Sequence, residues 1–588
     1  MAHPICLIEN TEENKLKTNQ EALEILSSIT QPVVVVSIVG KYRTGKSYLM
    51  NRLAESNSGF PLGSTVQSKT KGIWMWCVPH PCRKGQTLVL LDTEGLGDVE
   101  KGDQKNDHWI FALAILLSST LVYNSIGIID NEALLSLHFV TEISEFIRVK
   151  SSKEDKEKAS NEFMRFFPSF VWAVRDFSLE LDIDGKKVTP DGYLENSLKL
   201  RKGKNNIISE NSSAFSIELG NTPRECIRNY FPSRKCFVFY QPGNRSQLKE
   251  LEKLRDSDLD PDFVKQTNDF CSYIFNCSKE KIIVGDVTVT GNMLGTLVLT
   301  YVDAIRSGEV PCLENAVDVL AHIENSAAVE ISHNLYRNLL DERVVLPTNT
   351  QQEVSGVHDE CMKEALKLFM ERSFKDTDQL YQKALMENIK KEYDRKCKEN
   401  EELSYKFCND LLEELWRDIF QEFYMRPGGY TDFRIEVDSI IQKYRDRPGK
   451  GTKAEETLQT FMKQKKEMES CILVADKNLT KQEKKLAEEK ARAELEKFKA
   501  EAAKKKQEIL DQRLLDVQKA HKENIQQLEE KMEKERKAMI EENERILERR
   551  LVEQKALLEE GFEKEANLLN AAIEDLKNKK LEEEKSHV

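Results

Sequence analysis

The amino-acid sequence predicts an α/β domain, with a mostly parallel sheet flanked by helices, followed by an elongated all-α region. Three observations carry this prediction. Strand-like apolar runs alternate with helical patterns over roughly the first half of the chain, and a glycine-rich string follows the first of these runs. Beyond residue 312, glycine becomes sparse and apolar residues recur every three or four positions, as they do in helices.

The predicted strands of the first region cover residues 32–39, 87–91, 170–174 and 235–240. The nearly continuous apolar character of the first run is typical of a strand that is covered on both faces. Residues 110–129 are apolar enough to suggest a membrane span, but serine, threonine, asparagine and glycine interrupt them. A buried helix followed by a buried strand is therefore the better interpretation.

The second region predicts helices over residues 316–340, 353–374, 376–394 and 404–425. Proline and glycine at 427–429 and 447–449 indicate loops between helices. No proline follows Pro448, and Gly561 is the only glycine after Gly451, so the rest of the chain should form very long helices. The predicted domains are residues 1–306, 307–478 and 479–588.

An apolar stripe with a period near 3.5 residues runs through the last predicted helices. It consists of Ile525, Leu528, Met532, Met539, Ile546, Leu551, Leu558, Phe562, Leu569, Ile573 and Leu576. Such a stripe can pack back on its own chain or form an intermolecular coiled coil, and the sequence favours neither.

Composition limits the class of protein. A chain of 588 residues predicts two or three domains, and 39% hydrophobic residues suffice for packed cores. No basic patch with interleaved aromatic residues accompanies the net charge of −13, which argues against nucleic-acid binding. The twelve cysteines show no metal-ligand spacing, and the N-terminus does not resemble a signal peptide. We therefore expect a cytoplasmic protein.

Residues 40–47 follow the Gly-x-x-x-x-Gly-Lys-Ser pattern of a phosphate-binding loop, between a predicted strand and a predicted helix. The glycines allow backbone N–H groups to surround phosphates. In such loops the lysine, here Lys46, reaches the β- and γ-phosphates, and the serine, here Ser47, coordinates Mg²⁺. The position of the string between strand and helix is the context that this chemistry requires.

A second metal-binding element should be an acid at the end of a buried strand. Asp92 follows the apolar run 87–91, and Gly95 can approach the γ-phosphate closely. Acids at this position in P-loop enzymes hold Mg²⁺, and we expect Asp92 to do so through water. Between the two elements, the hydroxyl-rich segment 64–72 fits a loop that closes on Mg²⁺ and γ-phosphate.

The common guanine-reading sequence Asn/Thr-Lys-x-Asp is not found where it is expected. Arg175 and Asp176 follow the predicted strand 170–174 instead. An aspartate can accept both N–H groups of the Watson–Crick edge of guanine, which adenine does not offer. The pair alone is too short to establish guanine specificity.

Four motifs in order resemble the interferon-inducible guanylate-binding proteins, which are large GTPases of the dynamin superfamily. They are the P-loop with Tyr42 and Arg43 inside it, Ser68–Gly72, Asp92–Gly97, and Arg175 with Asp176. The resemblance extends to the sequences at 427–430 and 451–456. It implies a P-loop GTPase domain, a helical middle domain, and a C-terminal helical effector domain folded back along it.

The resemblance also implies roles for individual residues. Arg43 would act as an internal arginine finger, Ser68 would position the attacking water, and Glu94 would join the water network. Thr70 would bind Mg²⁺ with Ser47 and Asp92, and Asp176 would read guanine. The nucleotide-binding set is Gly40, Tyr42, Arg43, Thr44, Gly45, Lys46, Ser47, Tyr48, Gln67, Lys71, Asp92, Thr93, Glu94, Gly95, Leu96, Gly97, Arg175 and Asp176.

The implied function is hydrolysis of GTP to GDP, in some members on to GMP, with nucleotide-driven dimerisation through the GTPase domains and higher oligomers. The implied biological role is cell-autonomous defence against intracellular pathogens. The expected cofactor is Mg²⁺. Two alternatives remain open: a coiled-coil ATPase, whose usual split architecture and signature loop are not found in the sequence, and a scaffold that uses the P-loop as an assembly switch.

Three departures from the family pattern qualify these expectations. Lys69 stands where several relatives have histidine, which leaves the GMP step open, and Tyr240 stands where relatives often have aspartate. The sequence ends without a Cys-a-a-X box. Contact with vesicles or a pathogen vacuole would then be indirect, through hetero-oligomers with prenylated relatives or through a surface of the C-terminal helices.

Overall fold

The computed structural model describes most of the chain. The described residues are 1–11, 15–62, 71–96, 105–135, 137, 167–201, 212–231, 233–244, 254–283, 287–309, 311, 313–376 and 378–585. Two compact units result, one formed by residues 1–320 with 534–588 and the other by residues 321–533. The three domain bounds expected from the sequence stay a prediction.

An eight-stranded sheet is the centre of the first unit. Its strands are β1 (Ile5–Asn10), β2 (Leu16–Thr18), β3 (Val33–Gly40), β4 (Ile73–Pro79), β5 (Thr87–Thr93), β6 (Thr120–Ile126), β7 (Ser169–Arg175) and β10 (Arg234–Val238). Their order is β10-β7-β6-β3-β5-β4-β1-β2. The five strands from β10 to β5 are parallel, and β4, β1 and β2 continue the sheet in antiparallel fashion. All four predicted strands are confirmed.

Strand β3 lies between β6 and β5 in the interior of the sheet, and all eight of its residues are buried. It pairs with β5 from Val33 to Ile38 and with β6 from Val36 to Gly40. Strands covered on both faces need apolar side chains throughout, which explains the unbroken apolar run. The chain leaves the carboxyl end of β3 at the topological position where ligands bind in open α/β sheets.

Helices flank this sheet. Those described in the first 306 residues are α1 (Gln20–Ser27), α2 (Lys46–Leu53), α3 (Lys105–Leu117), α4 (Asn131–Leu135), α5 (Pro190–Ser197), α6 (Ser212–Tyr230), α7 (Pro261–Cys277) and α8 (Gly291–Arg306). Two-residue strands β8 (Asp182–Ile183) with β9 (Lys186–Lys187) and β11 (Ile282–Ile283) with β12 (Val287–Thr288) form separate hairpins.

The apolar stretch 110–129 forms most of α3 and all of β6, so the helix-then-strand interpretation is confirmed. Across the described ranges, no helix combines the length and the apolar character that crossing a bilayer requires. Packing in the protein core accounts for the hydrophobicity of this stretch.

The remaining described elements are all helical. They are α9 (Leu313–Arg343), α10 (Gln351–Arg372), α11 (Leu380–Trp416), α12 (Gln421–Tyr424), α13 (Gly429–Asp446), α14 (Ala454–Ala475), α15 (Lys481–Glu560) and α16 (Glu563–Lys585). The expected very long helix is α15, with 80 residues. Gly561 stands between α15 and α16 with φ of 79°, a conformation that glycine adopts without strain.

One prediction about these helices was wrong. Residues 376–394 and 404–425 were expected to form two helices, but α11 is continuous from Leu380 to Trp416. Asn400 lies in the middle with its side chain fully buried, where it accepts the N–H of Thr348 at 2.8 Å and donates to the Thr348 hydroxyl at 3.0 Å. Small polar residues thus continue the buried face, and a search for apolar periodicity does not detect them.

The apolar stripe of the last helices is divided between two environments. Ile546, Leu569, Ile573 and Leu576 are buried within the first unit. The side chains of Ile525, Met532, Met539, Leu551 and Leu558 are exposed. Intramolecular packing therefore accounts for part of the stripe, and an intermolecular coiled coil formed by the exposed part stays a prediction.

A buried polar cluster joins three helices of the second unit. Asp516 of α15 is 1% exposed and accepts hydrogen bonds from the hydroxyls of Ser355 on α10 and Tyr393 on α11. Gln512 donates to the same carboxylate at 2.9 Å. Since a buried carboxylate is tolerated only when donors satisfy it, this residue fixes how the three helices pack.

Replacing Asp516 by alanine should loosen this packing. The two hydroxyls lose their acceptor, at a cost of about 1–3 kcal/mol for each buried group left unsatisfied. Hydrogen exchange should show faster exchange in α10, in α11 and around residue 516. The matched change Asp511→Ala, at an exposed position one turn earlier, should leave exchange unchanged, and equal effects of both changes would contradict this account.

Lys281 is a buried cation in the first unit. Its side chain is 2% exposed, and its ammonium donates to the Ser118 carbonyl at 2.9 Å. Its backbone accepts from the N–H of Val289 and donates to the carbonyl of Val33, which ties it to β3. Burial lowers the pKa of Lys281 from 10.5 to about 7, because the charged form loses its hydration.

This lowered pKa predicts a pH dependence of stability. Between about pH 7 and 10.5 the unfolded chain binds the proton more tightly, so the contribution of Lys281 to stability rises with pH. Lys281→Met should raise the free energy of unfolding by on the order of 2 kcal/mol at neutral pH and by much less near pH 10. Denaturant unfolding of both proteins measures this, and a difference independent of pH would contradict it.

Candidate nucleotide site

The loop after β3 has the backbone geometry that a phosphate-binding turn requires. Gly40 packs so closely on β6 that a Cβ would lie 2.0 Å from the Asn124 carbonyl oxygen. Gly45, with φ of 80°, precedes the first turn of α2. Arg43 adopts φ of 61°, which is unfavourable for a residue with a side chain. Strained conformations of this kind are concentrated at functional sites.

Lys46 begins α2 with its side chain folded over the loop. Its ammonium donates to the carbonyls of Gly40 at 3.2 Å and Lys41 at 3.1 Å, and the residue is 7% exposed. The hydroxyl of Thr44 donates to the Lys41 carbonyl at 2.8 Å, which closes the turn. The loop thus holds a cation at the N-terminus of a helix, where anions bind.

Ser47 and Asp92 meet beneath the loop. The Ser47 hydroxyl donates to Asp92 Oδ2 at 2.6 Å, and Asp92 is fully buried at the end of β5. Its Oδ1 is also buried and has no hydrogen-bond partner among the described residues. Burial raises the pKa of Asp92 to about 6, although Lys46 and the Ser47 hydrogen bond act in the opposite direction.

These oxygen atoms fit a magnesium ion. Carboxylate and hydroxyl oxygens are ligands that Mg²⁺ accepts, and the orphaned Asp92 Oδ1 marks a position where a cation would be stabilised. In the part of the chain that the structure describes, no group of three or more His, Cys, Asp or Glu side chains could hold a metal. A metal here would therefore depend on further oxygens from phosphate and water.

The residues after Asp92 pack against the loop. Thr93 is buried, and its hydroxyl donates to the Ile38 carbonyl at 2.8 Å. A Cβ on Gly95 would lie 2.3 Å from Tyr42 Cα, so only glycine allows this approach. The N–H of Leu96 donates to the Gly40 carbonyl at 3.0 Å. A hydrogen bond and close packing thus connect the segment after β5 with the phosphate-binding loop.

Arg175, at the end of β7, is placed under the loop. It is 5% exposed, and its guanidinium lies 4.8, 5.2 and 5.9 Å from the ring centroids of Phe239, Phe263 and Tyr48. Burial lowers the pKa of Arg175 to about 10, so it stays charged near neutral pH. Stacking on aromatic faces compensates part of its lost hydration.

Asp176 is placed differently from Arg175. It is exposed, and its backbone has φ of 53°. The adjacent pair therefore divides into a buried cation that supports the loop and an exposed carboxylate at the edge of the site. Tyr42, Arg43 and Lys71 are also exposed.

The structure brings most of the expected residues to the carboxyl edge of the sheet, from β7 across β3 to β5. Four expected residues lie outside the described residues: Gln67, Ser68, Thr70 and Gly97. The same holds for Lys69. The roles assigned to all candidate residues stay predictions.

Sequence reasoning missed Asn124. It is fully buried at the Gly40 level of β6, and its amide donates to the Thr44 carbonyl at 2.7 Å. This bond crosses from the neighbouring strand to the middle of the phosphate-binding loop. A polar residue inside an otherwise apolar buried strand was the available signal, because such residues need a partner.

The site combines a buried parallel strand, a glycine-rich turn, a helix that begins with lysine and serine, and an acid on the adjacent strand. This combination defines the class of P-loop nucleotide-binding proteins. The order of the strands and the position of the site at their carboxyl ends agree with this class.

Comparisons with known proteins identify the family. Residues 13–283 match the family model of the guanylate-binding protein N-terminal domain, and residues 285–577 match that of the C-terminal domain. Guanylate-binding protein 1 of Homo sapiens is 53% identical over 493 residues, which cover 83% of this chain and 82% of that protein. Guanylate-binding protein 6 of Homo sapiens is 50% identical over 590 residues, 98% of this chain and 90% of that protein.

Guanylate-binding protein 3 of Mus musculus is 49% identical over 583 residues, which cover 98% of this chain and 92% of that protein. The chain belongs to the guanylate-binding protein family, whose members are large GTPases. The resemblance read from the four motifs is confirmed.

The raised pKa of Asp92 predicts how Mg²⁺-dependent nucleotide binding varies with pH. Below about pH 6 the carboxyl is protonated and cannot support the cation. Titration with a fluorescent GTP analogue should show affinity falling about tenfold per pH unit well below pH 6. Asp92→Asn should bind weakly at every pH without this transition, and an identical acid limb in that variant would contradict the assignment.

Proposed function

We propose that this chain hydrolyses GTP to GDP with Mg²⁺ as cofactor. The observation that carries the proposal is the Ser47–Asp92 hydrogen bond beneath the phosphate-binding loop, beside the orphaned Asp92 Oδ1. A serine and an aspartate in this arrangement are the metal-holding pair of P-loop enzymes. Membership of a family of large GTPases supports the choice of GTP.

The phosphates would lie over the loop, where Lys46 and the backbone N–H groups at the start of α2 supply positive charge. The Lys46 ammonium donates to two carbonyls of the loop, so this side chain reaches the inside of the loop. Ser47 and, through water, Asp92 would hold Mg²⁺, which neutralises charge on the phosphate oxygens when bound. Thr70 would be a further ligand of the metal.

Arg43 is proposed as an internal arginine finger. It lies at the top of the loop, exposed and in a strained backbone conformation, so its guanidinium is not committed to a buried partner. Phosphoryl transfer depends on positioning and charge neutralisation, and an arginine finger is worth roughly 10³ to 10⁵ in rate. Ser68 and Glu94 would position the attacking water.

Asp176 is proposed to read guanine. Its exposed carboxylate follows Arg175, which packs under the loop, so the base would be bound next to the phosphates across the end of β7. A carboxylate that accepts hydrogen bonds from both N–H groups of guanine would reject adenine, because adenine offers no donor at N1 or C2 and would turn the N1 lone pair toward the carboxylate.

Assembly and biology are proposed from family membership. The chain would dimerise through its GTPase domain when nucleotide binds, form higher oligomers, and combine with prenylated relatives to reach vesicles or a pathogen vacuole from the cytoplasm. Interferon-induced defence against intracellular pathogens would be the setting. Hydrolysis of GDP on to GMP is an additional proposed step, and the analysis of nucleotide products described next also detects GMP.

The test is chromatography of nucleotide products after incubation with GTP or ATP at several protein concentrations. We expect GDP from GTP, little ADP from ATP, and a specific activity that rises with protein concentration. Lys46→Ala and Arg43→Ala should lower turnover by at least about 100-fold. The exposed Arg417 of the helical region is the matched control, and Arg417→Ala should leave turnover unchanged.

Two outcomes would overturn the proposal. Equal turnover of ATP and GTP would remove the guanine assignment, and normal turnover in both loop variants would remove the site assignment.

A further inference from the structure

Glu94 stands two residues beyond Asp92, and its carboxylate is held from outside the phosphate-binding loop. The residue is fully buried. Asn10 donates its amide N–H to Glu94 Oε1 at 2.9 Å, and the backbone N–H of Gly72 donates to Oε2 at 2.7 Å. Because carboxylate oxygens accept hydrogen bonds, these two donors each hold one oxygen and so constrain the orientation of the carboxylate plane.

A second amide determines which way the Asn10 side chain faces. Asn106, on α3 and 8% exposed, donates its amide N–H to Asn10 Oδ1 at 2.8 Å. With its oxygen engaged by a donor, Asn10 must present its NH₂ group to Glu94. The chain Asn106–Asn10–Glu94 therefore has one consistent direction of donation.

The backbone at Asn10 is also fixed. Asn10 is the last residue of β1 and pairs with Leu16 of β2. Gly72 packs against the same strand, where a Cβ would lie 2.0 Å from the Ile8 carbonyl oxygen and 3.0 Å from the Asn10 nitrogen. Close packing on both sides means that Asn10 can hold Glu94 with little freedom of its own.

We propose that Asn10 is a positioning residue for the reaction: it sets the orientation of the Glu94 carboxylate, with Asn106 fixing its amide. The inference rests on the proposed GTPase function, in which Glu94 joins the network around the attacking water. Residue 10 precedes the segment that matches the family model, which begins at residue 13. The strand β1 thereby contributes to a site whose other residues come from β3, β5, β6 and β7 and from the loops that follow them.

The expected effect is on turnover rather than on nucleotide affinity. The phosphates would be bound by the loop and by Lys46. Among the described residues, the Asn10 amide donates to Glu94, whereas Lys46 donates to carbonyls of the loop. Asn10→Leu removes the donor at similar volume, and Asn10→Asp turns a carboxylate toward Glu94. A misplacement of about an ångström in such a site can cost roughly 100-fold in rate.

Steady-state GTP hydrolysis and titration with a fluorescent GDP analogue are measured for the full chain. Both Asn10 variants should lower kcat by about 10- to 100-fold while the Kd for the analogue stays within about threefold. Asn19→Asp is the matched control, because the Asn19 side chain accepts hydrogen bonds from the N–H groups of Glu21 and Ala22, and an aspartate side chain also accepts them. That variant should resemble the wild type.

A second measurement tests the contact without turnover. Asn10→Asp should lower Tm, and the double variant Asn10→Asp/Glu94→Gln should regain part of it, because the new amide at position 94 can donate to the new carboxylate. Unchanged kcat in both Asn10 variants, an equal loss in kcat and affinity, or no recovery of Tm would each overturn the inference. Absence of turnover in the wild type would instead overturn the proposed function.

Discussion

The close approach of β3 to its two neighbours is the constraint on which the site depends. Every residue of β3 is buried, and its last residue packs on the Asn124 carbonyl at a distance that allows no side chain. Pairing with β5 and β6 brings Asp92 and Asn124 to the same edge of the sheet as the loop that follows Gly40. The register of these strands therefore determines where the phosphate-binding loop lies relative to Asp92 and Asn124. The loop residues supply the binding groups at that position.

Buried charge is the cost of this arrangement. Asp92, Arg175 and Lys281 all lie in the first unit with little exposure. Each is compensated by a different means: a hydroxyl and a nearby lysine for Asp92, aromatic faces for Arg175, and a single carbonyl for Lys281. The first two lie where phosphate and metal would bind, and their incomplete satisfaction suits groups that wait for a charged ligand.

The fold could be predicted from the sequence where a pattern was long and uniform. Continuous apolar runs located four of the five parallel strands, and the loss of proline and glycine located α15. The division of the helical middle region failed at Asn400, because the buried face of α11 there is made of small polar residues bonded to another segment. Periodicity of apolar residues alone does not detect that kind of burial.

The candidate site shows the same contrast. Gly40, Lys46 and Ser47 belong to a string whose spacing phosphate geometry imposes, and Asp92 ends the apolar run 87–91. The sequence was sufficient to predict that these residues lie together, and their roles stay predictions. Asn124 and Asn10 contact the site from β6 and β1, and only the order of strands in the sheet reveals that they are near it. Residues that act by holding another residue have no fixed sequence spacing from the motif, so the sequence pattern does not indicate them.

The central claim is that Ser47 and Asp92 form half of a metal site that nucleotide phosphates complete. Electron paramagnetic resonance of Mn²⁺ as a substitute for Mg²⁺ tests this claim directly, by measuring free Mn²⁺ as protein is added with and without GDP. The account predicts that stoichiometric binding to the protein appears only when GDP is present and is lost in Asp92→Asn. Equally tight binding of Mn²⁺ without nucleotide, or binding with GDP that is unaffected by Asp92→Asn, would contradict it.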